Sequence, residues 1–352
     1  MNRDVWLPRA AILSAILAGG MLALFVAGSG GGFSSRARSG PPDPYQTRVG
    51  AVLNIPDCFA FDWAEEWRYS PNGSRMALEA LGAVWVWTVG TADVRQFSAV
   101  PEGESRAASF GTFMWTDDQH ILASEYRADA ACDARLGDRP PYEDRWVLLD
   151  AATGARLRRV TDEVNGGPDG LDVVGVVDAD IWYIKARDGK LRTYDSRTGT
   201  LGEEEYFDYN AGRGSAHQVS PGSPWFSAFV PADPGGDPWR GRLEVFNIQS
   251  AERRIAEDVS LAAPLSMMLM TPDARYLFHG YGGDDGKFVP LISDLAYGIE
   301  RGAPPGERWV PYAVSAARGV LLVMVPPEPL PDLVTIRTCE MAEVPLDYLT
   351  QY

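Results

Sequence analysis

The sequence predicts an all-β fold, a six-bladed β-propeller preceded by one N-terminal hydrophobic helix. Three observations carry this prediction. A polar turn after an apolar stretch recurs six times; a second turn of the pattern Asp-x-x-Thr-Gly recurs between those markers; and Gly and Pro supply 36 and 26 of the 352 residues, which favours turns over long helices. Hydrophobic residues make up 45% of the chain and aromatic ones 11%, enough to bury a large core and to exclude disorder over the whole length.

Residues 10–28, AAILSAILAGGMLALFVAG, carry no charge. A helix of that length, rising about 1.5 Å per residue, spans roughly 28 Å, close to the hydrocarbon thickness of a bilayer. Arg3 and Arg9 precede it, so the N-terminus is expected in the cytoplasm and everything after Gly28 outside. The run exceeds the apolar region of a signal peptide, which favours an uncleaved signal-anchor. Val26-Ala27-Gly28 is a passable cleavage site, and secretion after cleavage is the alternative. A lipoprotein anchor is not expected, because the first Cys is Cys58. Ala11, Ala15, Gly19, Ala23 and Ala27 form a small-residue stripe at helical spacing, a pattern that Ala-rich export segments also produce by chance. Residues 29–49 are rich in Gly, Ser and Pro and read as a flexible linker. The expected organisation is a cytoplasmic stub and anchor over 1–28, a linker over 29–49 and an extracytoplasmic propeller over 50–352.

Each repeat of that last region is expected to contain four strands. The turn between the first and second strands is Ser70-Pro71-Asn72-Gly73, then Thr116-Asp117-Asp118-Gln119, Asp178-Ala179-Asp180, Ser220-Pro221-Gly222-Ser223, Thr271-Pro272-Asp273-Ala274 and Ser315-Ala316-Ala317-Arg318. Pro presets φ at the second turn position, and Asn, Asp or Gly tolerate the backbone conformations of the third and fourth. The separations are roughly 40–60 residues, the period of propeller blades. The turn between strands three and four is Asp150-Ala151-Ala152-Thr153-Gly154 and Asp195-Ser196-Arg197-Thr198-Gly199, degrading to Asn247-Ile248-Gln249-Ser250-Ala251 and Thr88-Val89-Gly90-Thr91. Val84-Trp85-Val86-Trp87 and Ile181-Trp182-Tyr183-Ile184 read as strands buried on both faces. The widest repeat carries an insertion, Tyr126 to Asp144, between its second and third strands. Ala51–Ile55 is expected as an extra strand closing the ring against the last blade, and a seventh, degenerate blade is the alternative count.

The combination of Ser-Pro-[Asp/Asn]-Gly, an apolar strand and [Leu/Tyr]-Asp-x-x-Thr-Gly resembles the WD40-like and TolB-like propeller repeats over about 300 residues, from near Gly50 to the end. Clean Gly-His and Trp-Asp dipeptides are missing, so the resemblance is to the divergent bacterial kind. Only three Lys (Lys185, Lys190, Lys287) among many Arg fits a high-GC bacterial genome.

The formal net charge is −16. Up to Val49 the basic residues Arg3, Arg9, Arg36, Arg38 and Arg48 outnumber Asp4 and Asp43, so the acidity belongs to the propeller, and nucleic acid is excluded as a partner. The same acidity also serves solubility alone. Of the three cysteines, Cys58 precedes the first blade and Cys132 lies in the insertion of the second, both on connections that open on one rim. A Cys58–Cys132 disulfide with a lone Cys339 is expected; three unpaired thiols, or a Cys58–Cys339 bond joining the first blade to the last, are the alternatives.

Signs of catalysis are few. His120, His217 and His279 lie at no metal-ligand spacing. The nucleophile elbow Gly-x-Ser-x-Gly and the phosphate-binding loop are both absent from the sequence. Gly282-Gly283-Asp284-Asp285-Gly286 lacks the spaced acids of a calcium loop and reads as a hairpin connection, and Glu203-Glu204-Glu205 with Asp208 reads as a solvated run that protects a strand edge. No catalytic residue, cofactor or metal is nominated. Trp63, Trp67, Trp85, Trp87, Trp115 and Trp182 are expected in the core; Tyr142, Trp146, Trp225 and Trp239 are the candidate binding rim, although each also suits a packed loop tether.

These observations point to a membrane-tethered extracytoplasmic propeller that binds a protein or cell-envelope partner. The alternatives are an extracytoplasmic metal-dependent hydrolase of lactonase or esterase type, for which Asp62, Glu65 and Asp172 are the nearest axial ligands, and a structural subunit of a membrane complex.

Overall fold

The computed structural model describes residues 60–62, 66–80, 82–91, 93–99, 108–128, 142–161, 172–209, 216–231, 240–260, 269–282, 288–303, 309–324, 335–337 and 341–350. The segments 10–28, 29–49 and Ala51–Ile55, and residues Cys58, Trp63, Glu65, Cys132, Trp239 and Cys339, lie outside them.

A short strand β1 (Ala60–Asp62) precedes the first blade, whose strands β2 (Glu66–Tyr69), β3 (Arg75–Ala80), β4 (Ala83–Thr88) and β5 (Val94–Ser98) pair in sequence order. Blade two is β6 (Ala108–Trp115), β7 (His120–Ala128), β8 (Tyr142–Asp150) and β9 (Arg156–Thr161). Blade three is β10 (Asp172–Val176), β11 (Ile181–Lys185), β12 (Lys190–Asp195) and the split outer strand β13 (Thr200–Leu201) and β14 (Phe207–Asp208). Blade four holds β15 (Ala216–Gln218), β16 (Trp225–Pro231), β17 (Arg240–Asn247) and β18 (Arg253–Ser260), and blade five β19 (Leu269–Met270), β20 (Tyr276–Gly282), β21 (Phe288–Asp294) and β22 (Ile299–Gly302). The last blade has three strands in its sheet, β23 (Val310–Ser315), β24 (Val320–Met324) and β26 (Met341–Pro345). Between the last two, β25 (Thr335–Arg337) leaves the sheet and pairs with β1. In place of a fourth strand the chain continues into α1 (Leu346–Thr350), and Leu349 enters the core between blades five and six.

All six markers expected between first and second strands occupy those places, and so do the four expected between third and fourth strands. The six-bladed count follows from the cores. Successive residues of a strand point to opposite faces, so Met76 and Leu78 enter one cluster with Tyr312 and Met324 of the last blade, while Ala77 between them joins Phe113, Trp115 and Leu149 of blade two. The remaining clusters lie in turn between blades two and three, three and four, four and five, and five and six. Every sheet is thus apolar on both faces and covered by its neighbours, which is the condition for a stack of sheets to close on itself.

Two expectations are revised. The predicted insertion is shorter than 126–144: Tyr126 pairs with Asp144 and Ala128 with Tyr142, so β7 and β8 extend the hairpin and the connection proper is 129–141. The outer strand of blade three is interrupted by the acidic run. After Leu201 the chain departs at Gly202, passes the exposed Glu203–Glu205, and rejoins β12 where Phe207 pairs with Leu191. Arg192 Nη2 meets Glu205 at 2.7 Å and Lys190 Nζ meets Asp208 at 2.6 Å, so the run also pairs with blade-three cations.

Candidate interaction rim

In this strand order the 1→2 and 3→4 turns open on one face of the ring and the 2→3 and 4→1 connections on the other. The two faces differ in construction. On the turn face, short Asx-type turns satisfy their own backbone. Asp150 Oδ1 accepts from the backbone N–H of Ala152 and Thr153 and from the Thr153 hydroxyl, at 3.0, 2.7 and 2.7 Å. Asp195 repeats this with Arg197 and Thr198, Asn247 with Gln249 and Ser250, and Asp178 with Asp180 and Ile181. The Thr153 hydroxyl bond first, and the backbone N–H groups with it, lower the pKa of Asp150; for Asp195 the Arg197 N–H leads.

Side chains on this face also cross between blades. Arg75 donates to Asp118 O, and Asp118 Oδ1 accepts from Asn72 N at 2.7 Å; Arg95 donates to Ala152 O. Arg158 holds Asp180 at 2.7 Å and the Ser196 hydroxyl at 2.5 Å. The Gln218 amide accepts from Val176 N and donates to Val176 O, at 2.8 and 2.9 Å. Arg254 donates to Asp273 O and Ala274 O, and Ser223 to Pro272 O. The seam between blades six and one is a buried cluster: the Tyr69 hydroxyl donates to Glu343 Oε1 at 2.6 Å, and Arg318 donates to Oε1 and Oε2 at 3.2 and 2.9 Å. Burial, then Glu343, raise the Tyr69 pKa well above the ordinary phenol value.

On the opposite face the described strands end at Ala128, Pro231 and Gly282 and resume at Tyr142, Arg240 and Phe288, so the 2→3 connections of blades two, four and five start and finish there. Two connections there are tight: β3 to β4 through Gly82, and β11 to β12 through Gly189. This is the rim on which partner-binding aromatics are expected.

The candidate aromatics do not share that rim. Trp146 lies in β8, is 7% exposed, and packs with Leu122, Trp182 and Tyr194 between blades two and three. Trp225 opens β16 at the turn face, is 6% exposed, and lies under the Arg254 guanidinium, 4.2 Å from the ring centroid. The sequence held a signal for both, since Trp146-Val147-Leu148-Leu149 and Trp225-Phe226 sit in apolar runs rather than isolated in polar loops. Tyr142 begins β8 where the 129–141 connection ends, and Trp239 ends the 232–239 connection. Tyr142 opens its strand at the face away from the turns, and Trp239 lies outside the described residues. The expected core tryptophans Trp67, Trp87, Trp115 and Trp182 are buried, and Trp85 partly so.

Among the described residues the titratable groups form no relay. His279 is buried, with Nε2 2.8 Å from the Ser293 hydroxyl and 3.7 Å from Glu300. Both contacts fall on one nitrogen, whereas a nucleophile–base–acid relay needs the base's two nitrogens to face different partners. Burial lowers the His279 pKa to about 4. His120 contacts Asp117 at 2.8 Å within a turn, and His217 is exposed on β15. Asp172 is exposed at the start of β10, and Asp62 ends β1. Among the described residues no group of three or more His, Cys, Asp or Glu is placed to hold a metal, and no helix is long and apolar enough to cross a membrane.

The sequence matches no protein-family profile and no curated protein. Similar solved structures include a chain of a mitotic checkpoint complex (TM-score 0.49, 10% identity, covering 88% of this chain and 99% of that one). TolB from Acinetobacter baumannii has a TM-score of 0.45 and 13% identity, covering 70% of this chain and 55% of its own. The β-propeller domain of Cps50 (Swd1) from Myceliophteria thermophila has a TM-score of 0.45 and 12% identity, covering 80% of this chain and 98% of that one. The propeller assignment itself stands on the sheet order and the six inter-blade cores.

Proposed function

We propose that this chain is a protein-binding scaffold, tethered to the outside of a cell membrane by residues 10–28 through the linker 29–49, and that it engages its partner with the connection-bearing rim. The observation that carries the reading is the contrast between faces. The turn face spends its polar groups on its own turns and on neighbouring blades, whereas the strand ends that bound 129–141 and 232–239 lie on the other face. Loops on a rigid frame are where recognition surfaces are commonly built. Tyr142 and Trp239 are the aromatic anchors assigned to that surface.

The experiment is crosslinking and affinity capture of the full-length protein from its native membrane, with elemental analysis of the same material. A stoichiometric protein partner that is retained by Arg95→Ala on the turn face, and lost when 129–141 is replaced by a short Gly-Ser linker, supports the reading. Tightly bound metal without a protein partner would replace it with the hydrolase alternative. Protease accessibility of the propeller in intact cells tests the location, and the N-terminal residue of the mature protein distinguishes a retained anchor from a cleaved one.

A further inference from the structure

In the described sheets, blades one to five each end on an outer strand that is paired along one edge only. An open edge is a template for another strand, and proteins blunt it with short strands, charges and interruptions. Four of these blades show such blunting. β5 and β22 are short, at 5 and 4 residues. β9 carries Arg156, Arg158 and Arg159, which repel their own copies. β13 and β14 are parted by the exposed Glu203, Glu204 and Glu205. β18 is the exception: it spans 8 residues and carries Ile255 at 45% exposure.

The register of β18 shows which of its groups face outward. Asn247 N donates to Glu252 O at 2.9 Å, and the same ladder then pairs Val245 with Arg254 and Leu243 with Ala256. Hydrogen-bonded pairs alternate with non-bonded ones along an antiparallel ladder, so Arg254 and Ala256 bond to β17 while Arg253 and Ile255 turn their N–H and C=O groups to the open edge. The side chains alternate as well. Arg254 lies over Trp225 and Ala256 packs between blades four and five, whereas Arg253, Ile255 and Glu257 are exposed. The ladder shifts register only beyond Ala256, and the alternation of exposure continues through Glu257. Within its own sheet Arg253 approaches Glu244 at 3.8 Å and stays more than half exposed. A two-fold axis at Ile255 sets this strand antiparallel to a copy of itself. Ile255 then faces its own counterpart, and Arg253 and Glu257 of one copy face Glu257 and Arg253 of the other. Opposite charges so placed stabilise a ladder and like charges destabilise it. We infer that β18 is the interface of a homodimer in which two blade-four sheets join edge to edge. Such an interface is isologous, so it closes at two copies. The antiparallel pairing turns the turn faces of the two rings in opposite directions.

The inference is independent of what the connection-bearing rim binds. It is tested on detergent-solubilised full-length protein by size exclusion with light scattering over a concentration series. The wild type is expected to be a dimer. Arg253→Glu sets Glu against Glu at both charged contacts, and Glu257→Arg sets Arg against Arg, so each variant should dimerise at least about tenfold more weakly. Ile255→Lys places two ammonium groups at the axis and should weaken the dimer as well. An equimolar mixture of the Arg253→Glu and Glu257→Arg chains, carrying different tags, regains both opposite-charge contacts and should form a heterodimer that neither chain replaces by dimerising alone. A wild type that stays monomeric throughout the series overturns the inference. So do single variants that dimerise as the wild type does, which would place self-association on another surface, and so does a mixture that fails to associate.

Discussion

Glu343 holds the ring's seam. Its carboxylate is 4% exposed, receives the Tyr69 hydroxyl at 2.6 Å from blade one, and is gripped by Arg318 within its own blade. Replacing it with Ala leaves a buried phenol and a partly buried guanidinium without their acceptor, and such a broken buried pair costs about 3–5 kcal/mol. Tyr69→Phe removes only one charge-assisted hydrogen bond and costs about 1.5–3 kcal/mol. Since a folded domain is stable by only about 5–15 kcal/mol, Glu343→Ala should remove a large share of the total. Denaturant unfolding followed by tryptophan fluorescence is a direct assay, because Trp67 and Trp87 stack at the same seam with centroids 5.7 Å apart. The decisive quantity is the coupling. In the Glu343→Ala background, Tyr69→Phe should cost less than in the wild type by about 1–2 kcal/mol. An equal cost in both backgrounds, or a wild-type cost below about 0.5 kcal/mol, would refute the assignment of seam stability to this cluster.

Three further outcomes are expected. Between pH 6.5 and about 4 the unfolded chain binds a proton at His279 that the folded chain does not, so the stability due to its neutral form is complete above pH 6.5 and is lost as pH falls toward 4. The full difference is about 3 kcal/mol, and His279→Gln should flatten the stability–pH slope in that window relative to the wild type; identical slopes would contradict it. Ala251 stands at φ 57 where the sister turns have Gly154 and Gly199, so Ala251→Gly should raise stability by about 1 kcal/mol in denaturant unfolding. Gly73 has φ +71, and a Cβ there would lie 2.5 Å from Arg318 Cγ and 2.8 Å from Ser315 Oγ; Gly73→Ala should cost about 2–3 kcal/mol and lose part of that cost in Glu343→Ala, where Arg318 is already released.

The repeats were legible because their chemistry is local. Asp150 accepts from Ala152 and Thr153, and Gly154 adopts φ 72, all within one turn that adjacent letters spell out. The uninterrupted apolar run Val84-Trp85-Val86-Trp87 likewise announces a strand buried on both sides. Trp225 was harder to place, since a tryptophan beside a Ser-Pro turn suits a surface anchor until Arg254 of the same sheet covers its ring. Both bounds of the insertion fall inside 126–144 because Tyr126 and Tyr142 lie on strands that keep pairing across the hairpin, which adjacent residues do not announce.

By itself, then, the sequence determined the all-β class, the six turn markers, the strand faces and the acidic surface, each written in residues a few positions apart. The tertiary structure alone decided that Tyr69 donates to Glu343, that β1 pairs with β25, and which aromatics are covered. Those contacts join residues 274 positions apart at Tyr69 and Glu343 and further still at Ala60 and Arg337, and their registers are set by how blade faces meet around the ring, a distance over which no local periodicity carries information.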